Sequence, residues 1–130
     1  MDFMAAAVEQ ATIAARKGEI PVGCVIVRNG RIIAKGYNQR ERRRNSLWHA
    51  EMVAINRACR KLRAWRLDDC EMYVTLEPCQ MCMGAIVNAR IKTVYVGAKS
   101  TSNLNWQTPV VLQPNATAKN ILVAFFRDKR

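Results

Sequence analysis

The chain has 130 residues, half of them hydrophobic, and 21 basic against 10 acidic side chains leave a net charge of +11. This composition is not that of a disordered chain, predicts one folded domain over 1–130, and offers no apolar run near the roughly 20 residues of a membrane span. Met1–Arg16 lacks the basic lead of an export signal, so a cytoplasmic protein without membrane association is expected, and the charge excess points to nucleic acid rather than to a merely solvated surface.

In chain order, Phe3–Arg16 is Ala-rich and ends at Lys17-Gly18, which predicts a helix with a glycine stop. Val22–Val27 reads as a buried strand. Asn29-Gly30 then separates it from Arg31–Ala34, the strongest short signal for an antiparallel hairpin. Tyr37–Ser46 is polar and basic and is predicted as a loop. His49–Leu62 carries Ala50, Val53, Ala54 and Ala58 at helical spacing. Glu71–Leu76 reads as a strand, and Pro78 is placed in the first turn of a helix running to about Asn88. Lys92–Gly97 is another strand, Ala98–Thr108 has no clear period, Val110–Leu112 is a short strand, and Ala118–Asp128 a last helix. Strands alternating with helices late in the chain imply parallel pairs behind the antiparallel hairpin, an α/β fold.

Five cysteines with no export signal argue against a disulfide framework. Two words carry chemistry: His49-Ala50-Glu51 and Pro78-Cys79-Gln80-Met81-Cys82. Cys79 and Cys82 would share one side of a helix's first turn, where the positive helix end favours thiolates. If the two helix starts face each other, His49, Cys79 and Cys82 supply three tetrahedral positions and leave the fourth open for water, as a catalytic zinc site requires. Glu51 then stands beside that water as the proton-transfer group. A lone Cys-x-x-Cys would also suit half of a structural zinc site or a redox pair. His49 is the only histidine, however, no second close cysteine pair exists, and neither alternative uses Glu51. The His-x-Glu…Pro-Cys-x-x-Cys pattern matches the signature of the zinc deaminases.

The chain resembles the bacterial tRNA-specific adenosine deaminases of the cytidine-deaminase-like superfamily. The matching words are Gly18-Glu19-Ile20-Pro21-Val22-Gly23, Gly36-Tyr37-Asn38, His49-Ala50-Glu51-Met52, Trp65-Arg66-Leu67, Tyr73–Cys79, Cys82–Ile86 and Ala89-Arg90-Ile91. The resemblance implies a three-layer α/β/α fold around a mixed five-stranded sheet. It implies a homodimer with one zinc ion per subunit, and hydrolysis of adenosine to inosine at the wobble position of a tRNA anticodon. It implies that Asn38 helps hold the target nucleotide, that Ala50 offers its backbone N–H to the base, and that Pro21 and Val22 help wall the pocket. For Asn38 the competing expectation is a turn residue bonded to its own backbone.

Arg42, Arg43 and Arg44 precede His49 and suit an RNA backbone at the mouth of the site, or a solvated loop. Trp48 would stack on a flanking base or pack in the core. After Gly97-Ala98-Lys99 the sequence departs from the family. Ser100 stands where an acidic residue is usual, and about fifteen residues of a loop bordering the substrate groove are missing before Leu104-Asn105-Trp106, as judged from the resemblance. Lys99 and Ser100 are therefore further candidates for nucleic-acid contact. The departure keeps a second expectation open: deamination of cytosine or adenine in single-stranded DNA, including by an engineered compact variant, or of a free nucleobase or nucleoside. A non-catalytic RNA-binding module with structural zinc is a third, disfavoured by Glu51.

Overall fold

A computed structural model describes residues 1–100 and 106–128; Leu104 and Asn105 of the Leu104-Asn105-Trp106 word lie outside that range. Helix α1 (Phe3–Arg16) starts under an Asp2 cap, whose carboxylate accepts the Ala5 N–H at 3.0 Å. It buries Met4, Ala7, Ala11 and Ala14, one stripe at spacings of three and four. Gly18 follows at φ 77°, a left-handed stop that a side chain would strain.

Strands β1 (Gly23–Arg28) and β2 (Arg31–Tyr37) form the antiparallel hairpin. Asn29 and Gly30 both have positive φ (52° and 74°), as a tight twist-matched turn demands. Strand β3 (Cys70–Val74) pairs antiparallel with β1, and β4 (Thr93–Val96) and β5 (Val110–Leu112) continue in parallel. The sheet order is β2-β1-β3-β4-β5, a mixed five-stranded sheet.

The sheet carries helices on both faces. Cys24 pairs with Gly36, so both sit on one face, while neighbouring Gly23 sits on the other. Gly23 abuts Ala7 and Ala11 of α1, whereas Gly36 abuts Ala50 and Ala54 of α3 (Ala50–Leu62). Helix α5 (Ala116–Asp128) touches α1, and α4 (Gln80–Asn88) touches α3. Between the layers Ile26, Leu67, Met72, Met83, Val94 and Val96 are fully or almost fully buried. Among the described residues no helix is long and apolar enough to cross a membrane.

Strand ends shift by one to three residues from expectation, and three further differences have identifiable causes. The predicted loop Tyr37–Ser46 contains a one-turn helix, α2 (Arg40–Arg43), whose two central N–H groups are satisfied by a distant side chain, Glu19. Pro78 precedes the first turn of α4 instead of entering it, because Cys79 is the N-cap. Helix α5 begins two residues earlier than expected, since Asn115 caps it by accepting the Ala118 N–H at 3.0 Å.

Candidate active site

Two helices start at the same place. His49 is the N-cap of α3 and Cys79 the N-cap of α4, and neither side chain caps its own helix. Both helix ends therefore keep unpaired N–H groups and partial positive charge toward the space between them. Cys82 lies one turn into α4, on the same side as Cys79, and is fully buried.

The ligating atoms of His49, Cys79 and Cys82 all lie within 4.8 Å of one another. The His49 Nδ1 to Cys79 Sγ distance is 3.8 Å. A tetrahedral zinc ion with ordinary bond lengths would set sulfur–nitrogen separations of roughly 3.5 Å and sulfur–sulfur separations of roughly 3.8 Å, so the trio fits that ion with small adjustment. Electrostatics agree with the fit. Burial and the nearby Arg40 guanidinium push the His49 pKa down, which favours the neutral imidazole that a metal needs. Burial pushes the Cys82 thiol far up, helped by Glu51 and Cys79. Three ligand atoms crowded beside a buried carboxyl form a donor set that a divalent cation would satisfy.

Glu51 is the second residue of α3 and only 3% exposed. Burial raises its carboxyl pKa to about 7, opposed by hydrogen bonds from its own backbone and from Cys82. Cys24 on β1 is buried nearby, its thiol pushed up by burial and by Glu51, yet it does not join the ligand trio.

His49, Ala50, Glu51 and Cys79 open into a cavity of about 530 Å³. Its opposite walls come from the segments before β1 and after β2, through Ile20, Val22, Asn38 and Arg40. These walls are stitched together. The Asn38 N–H donates to the Val22 carbonyl (3.1 Å) and its Nδ2 to the Ile20 carbonyl (3.3 Å). Asn38 Oδ1 accepts the Arg40 N–H at 3.2 Å, the backbone-turn role expected as the alternative for this residue, while the side chain still lines the cavity. Glu19, 1% exposed, accepts the Glu41 and Arg42 N–H groups at 3.1 and 2.8 Å and so docks α2.

The other predicted residues separate. Val22 lines the cavity and Pro21 does not. The Val22 N–H bonds the Ile20 carbonyl at 2.9 Å, a three-residue turn with Pro21 at its apex, and Pro21 is buried beside the cavity-lining Ile20 and Val22. Ser100 lines the cavity, and its N–H and Oγ both donate to Glu77 Oε1 (3.2 and 3.3 Å). Lys99 lines a neighbouring groove against α5. Arg43 and Trp48 line a cleft on the far side of α2, while Arg42 and Arg44 are exposed and line neither space. Arg40, Glu77, Leu122 and Phe126 line the cavity without having been singled out from the sequence. Glu77 had a visible signal in its place before Pro78-Cys79. Leu122 and Phe126 come from α5, forty or more residues after Cys82, and no chemistry-bearing word marked them.

Fold and site together define the class, an α/β protein of the cytidine-deaminase-like fold. Within it, the chain belongs to the MafB19-like deaminase family, whose model matches residues 1–130. It is 49% identical over 96 residues to the tRNA-specific adenosine deaminase of Bacillus subtilis (strain 168), covering 74% of this chain and 60% of that protein. The chain thus spans less than two thirds of that curated relative. A solved structure from work on A-to-I editing by tRNA:A34 deaminases at the wobble position superposes with a TM-score of 0.78 at 34% identity, covering 85% of this chain and 96% of the other. The guanine deaminase of Bacillus subtilis superposes with a TM-score of 0.73 at 44% identity, covering 76% of this chain and 64% of the other.

Proposed function

We propose that residues 1–130 form one zinc-dependent hydrolytic deaminase domain that converts adenosine to inosine at the wobble position of a tRNA anticodon. The observation that carries this reading is the buried Glu51 carboxyl beside the His49, Cys79 and Cys82 trio, all at one cavity between two helix starts. Zinc held by that trio, one ion per subunit, supplies Lewis acidity that makes water a usable nucleophile near neutral pH.

The protein's own groups supply the rest. Glu51 Oε takes a proton from the attacking water and returns it to the amine leaving C6 of adenine, so that water and adenosine become inosine and ammonia. Its burial, which lifts the carboxyl above the ordinary range in the metal-free protein, favours a group that can hold a proton between the two transfers. Ala50 is the first residue of α3, so its N–H has no partner within the helix and stands ready for the base. Asn38, Val22 and Ile20 hold the nucleoside against that edge. A base buried this way must leave its stack, which a single-stranded anticodon loop permits at low cost. The net charge of +11 supports a polyanionic partner over a free base.

The likeness to a guanine deaminase supports a second reading, a free nucleobase in the same cavity. One experiment separates the two. Zinc-loaded protein is incubated with an anticodon stem-loop, single-stranded DNA, and free adenosine, cytidine and guanine, and the one-mass-unit product is sought in each. Inosine in the stem-loop is expected; product from guanine alone would replace the proposal with the second reading, and no product anywhere would end both.

A further inference from the structure

A second site lies across α2 from the cavity. Chain alternation builds it: Asn38 and His49 face the cavity, while their neighbours Gln39 and Trp48 line a separate cleft of about 320 Å³. The Gln39 N–H donates to the Trp48 carbonyl at 2.9 Å, so the paired segments form a thin wall shared by both spaces. Arg43 of α2 and Asn56, Arg57 and Arg60 of α3 complete the cleft.

Its chemistry is one-sided. Three exposed guanidiniums and a half-buried indole line the cleft, no acidic residue does, and among the described residues none of the three arginines is in an ion pair. Arg43 Nε donates to Gln39 Oε1 at 3.1 Å and an Arg57 terminal nitrogen donates to the Lys35 carbonyl at 2.8 Å. Each bond orients a guanidinium while leaving most of its five donors uncommitted. Gathering like charges around an aromatic ring is unfavourable without an anion to offset it, and indole with arginine is the pairing that receives an unstacked base and its phosphate.

We infer that the cleft of Trp48, Arg43, Arg57 and Arg60 is a binding site for a nucleotide flanking the target in a single strand, the base against Trp48 and the phosphate on the arginines. The inference rests on the nucleic-acid reading above and extends it to residues of α3 that no sequence word marked. The wall it shares with the cavity makes the two occupants neighbours in one strand. Arg42 and Arg44, next to Arg43 in sequence, take no part in it.

The test uses zinc-loaded protein and a fluorescein-labelled five-nucleotide RNA with a central adenosine, with DNA of the same sequence as a second arm. The Arg57→Gln/Arg60→Gln double variant is expected to lose about tenfold or more in affinity, and the slope of log affinity against log salt should fall by about 1.4, or 0.7 for each single-strand phosphate contact. Trp48→Ala should cost about tenfold and Trp48→Phe should recover most of it. Losses in both arms assign the site to any single strand, and losses in one arm assign it to that strand. Unchanged affinity and slope in the double variant would overturn the site, as would an altered sedimentation mass with unaltered RNA affinity, which would make the cleft a contact between subunits. If wild-type protein binds through the cleft yet deaminates nothing, the catalytic reading fails and the site stands; if it deaminates RNA while the double variant keeps its salt slope, the reverse holds.

Discussion

Gly36→Ala places a methyl group where α3 crosses β2, and the damage should reach the active site. A Cβ at Gly36 would lie 2.5 Å from the Ala50 carbonyl oxygen, 2.8 Å from the Ala54 nitrogen and 3.2 Å from the Val53 Cβ. Two of these three are backbone atoms of α3, so no side chain can swing aside. Restoring even a tight contact of about 3.2 Å to the oxygen requires α3 to retreat by about 0.7 Å. Overpacking of this kind costs about 1–3 kcal/mol. The helix that must move carries His49 at its cap and Glu51 in its first turn. A displacement near 1 Å at reacting groups costs on the order of 100-fold, so kcat/KM on the anticodon stem-loop should fall about 30- to 100-fold while zinc stays bound. Gly84→Ala is the control: nothing lies within 4 Å of its Cβ, and α4 should gain up to about 1 kcal/mol from alanine's helix preference. Urea unfolding and single-turnover rates measure both effects. Wild-type stability together with a rate within twofold of wild type for Gly36→Ala would refute the packing argument.

Glu19→Ala strips two hydrogen bonds from α2 and should cost about 2–4 kcal/mol in urea unfolding, with Arg40 no longer held at the cavity; an unchanged midpoint would show that α2 stands without its cap. Glu51→Gln should lower turnover about 100- to 10,000-fold while zinc content by metal analysis stays at one per chain. Chelation should abolish turnover and lower the melting temperature, and zinc should restore both, with each hundredfold excess of metal over its dissociation constant stabilising by about 2.7 kcal/mol. In metal-free protein the folded-state pKa of Glu51, about 7, lies above its ordinary value of 4.5, so the native state holds the extra proton between them. Its contribution to stability is therefore full below pH 4.5 and is lost as pH rises toward 7, and metal-free Glu51→Gln should not show that loss in unfolding experiments across this range.

The parts of the fold read correctly in advance are those with local causes. Two apolar runs around Asn29-Gly30 sufficed for the hairpin, because both turn residues adopt the positive φ that their types permit. That His49, Cys79 and Cys82 come together was legible because each residue sits at or near a helix start that the sequence marks. Helix α2 was not legible, since its stabilising acceptor is Glu19, more than twenty residues earlier. Its own string of arginines repels and reads as loop. Pro21 shows how a resemblance transfers a word as a block: Ile20 and Val22 line the cavity, while Pro21 between them is buried without lining it.

The stretch after Lys99 joins these cases to the chemistry. Ser100 is bonded to Glu77, so a carboxylate borders the cavity there, and it belongs to the word that introduces Cys79 and Cys82. Helix α5 brings Leu122 and Phe126 to the same rim. The rim is thus apolar on the α5 side and basic on the α2 side. A strand that crosses it has its phosphates drawn toward Arg40 and the Trp48 cleft, and its bases toward α5. That polarity comes from tertiary placement alone, because the two sides lie some eighty residues apart in the chain. It follows that charge reversals on α2 and α3 should change the salt dependence of binding, while polar substitutions at Leu122 or Phe126 should change KM with little effect on that slope. Equal salt slopes for both kinds of variant would contradict the assignment of the two sides.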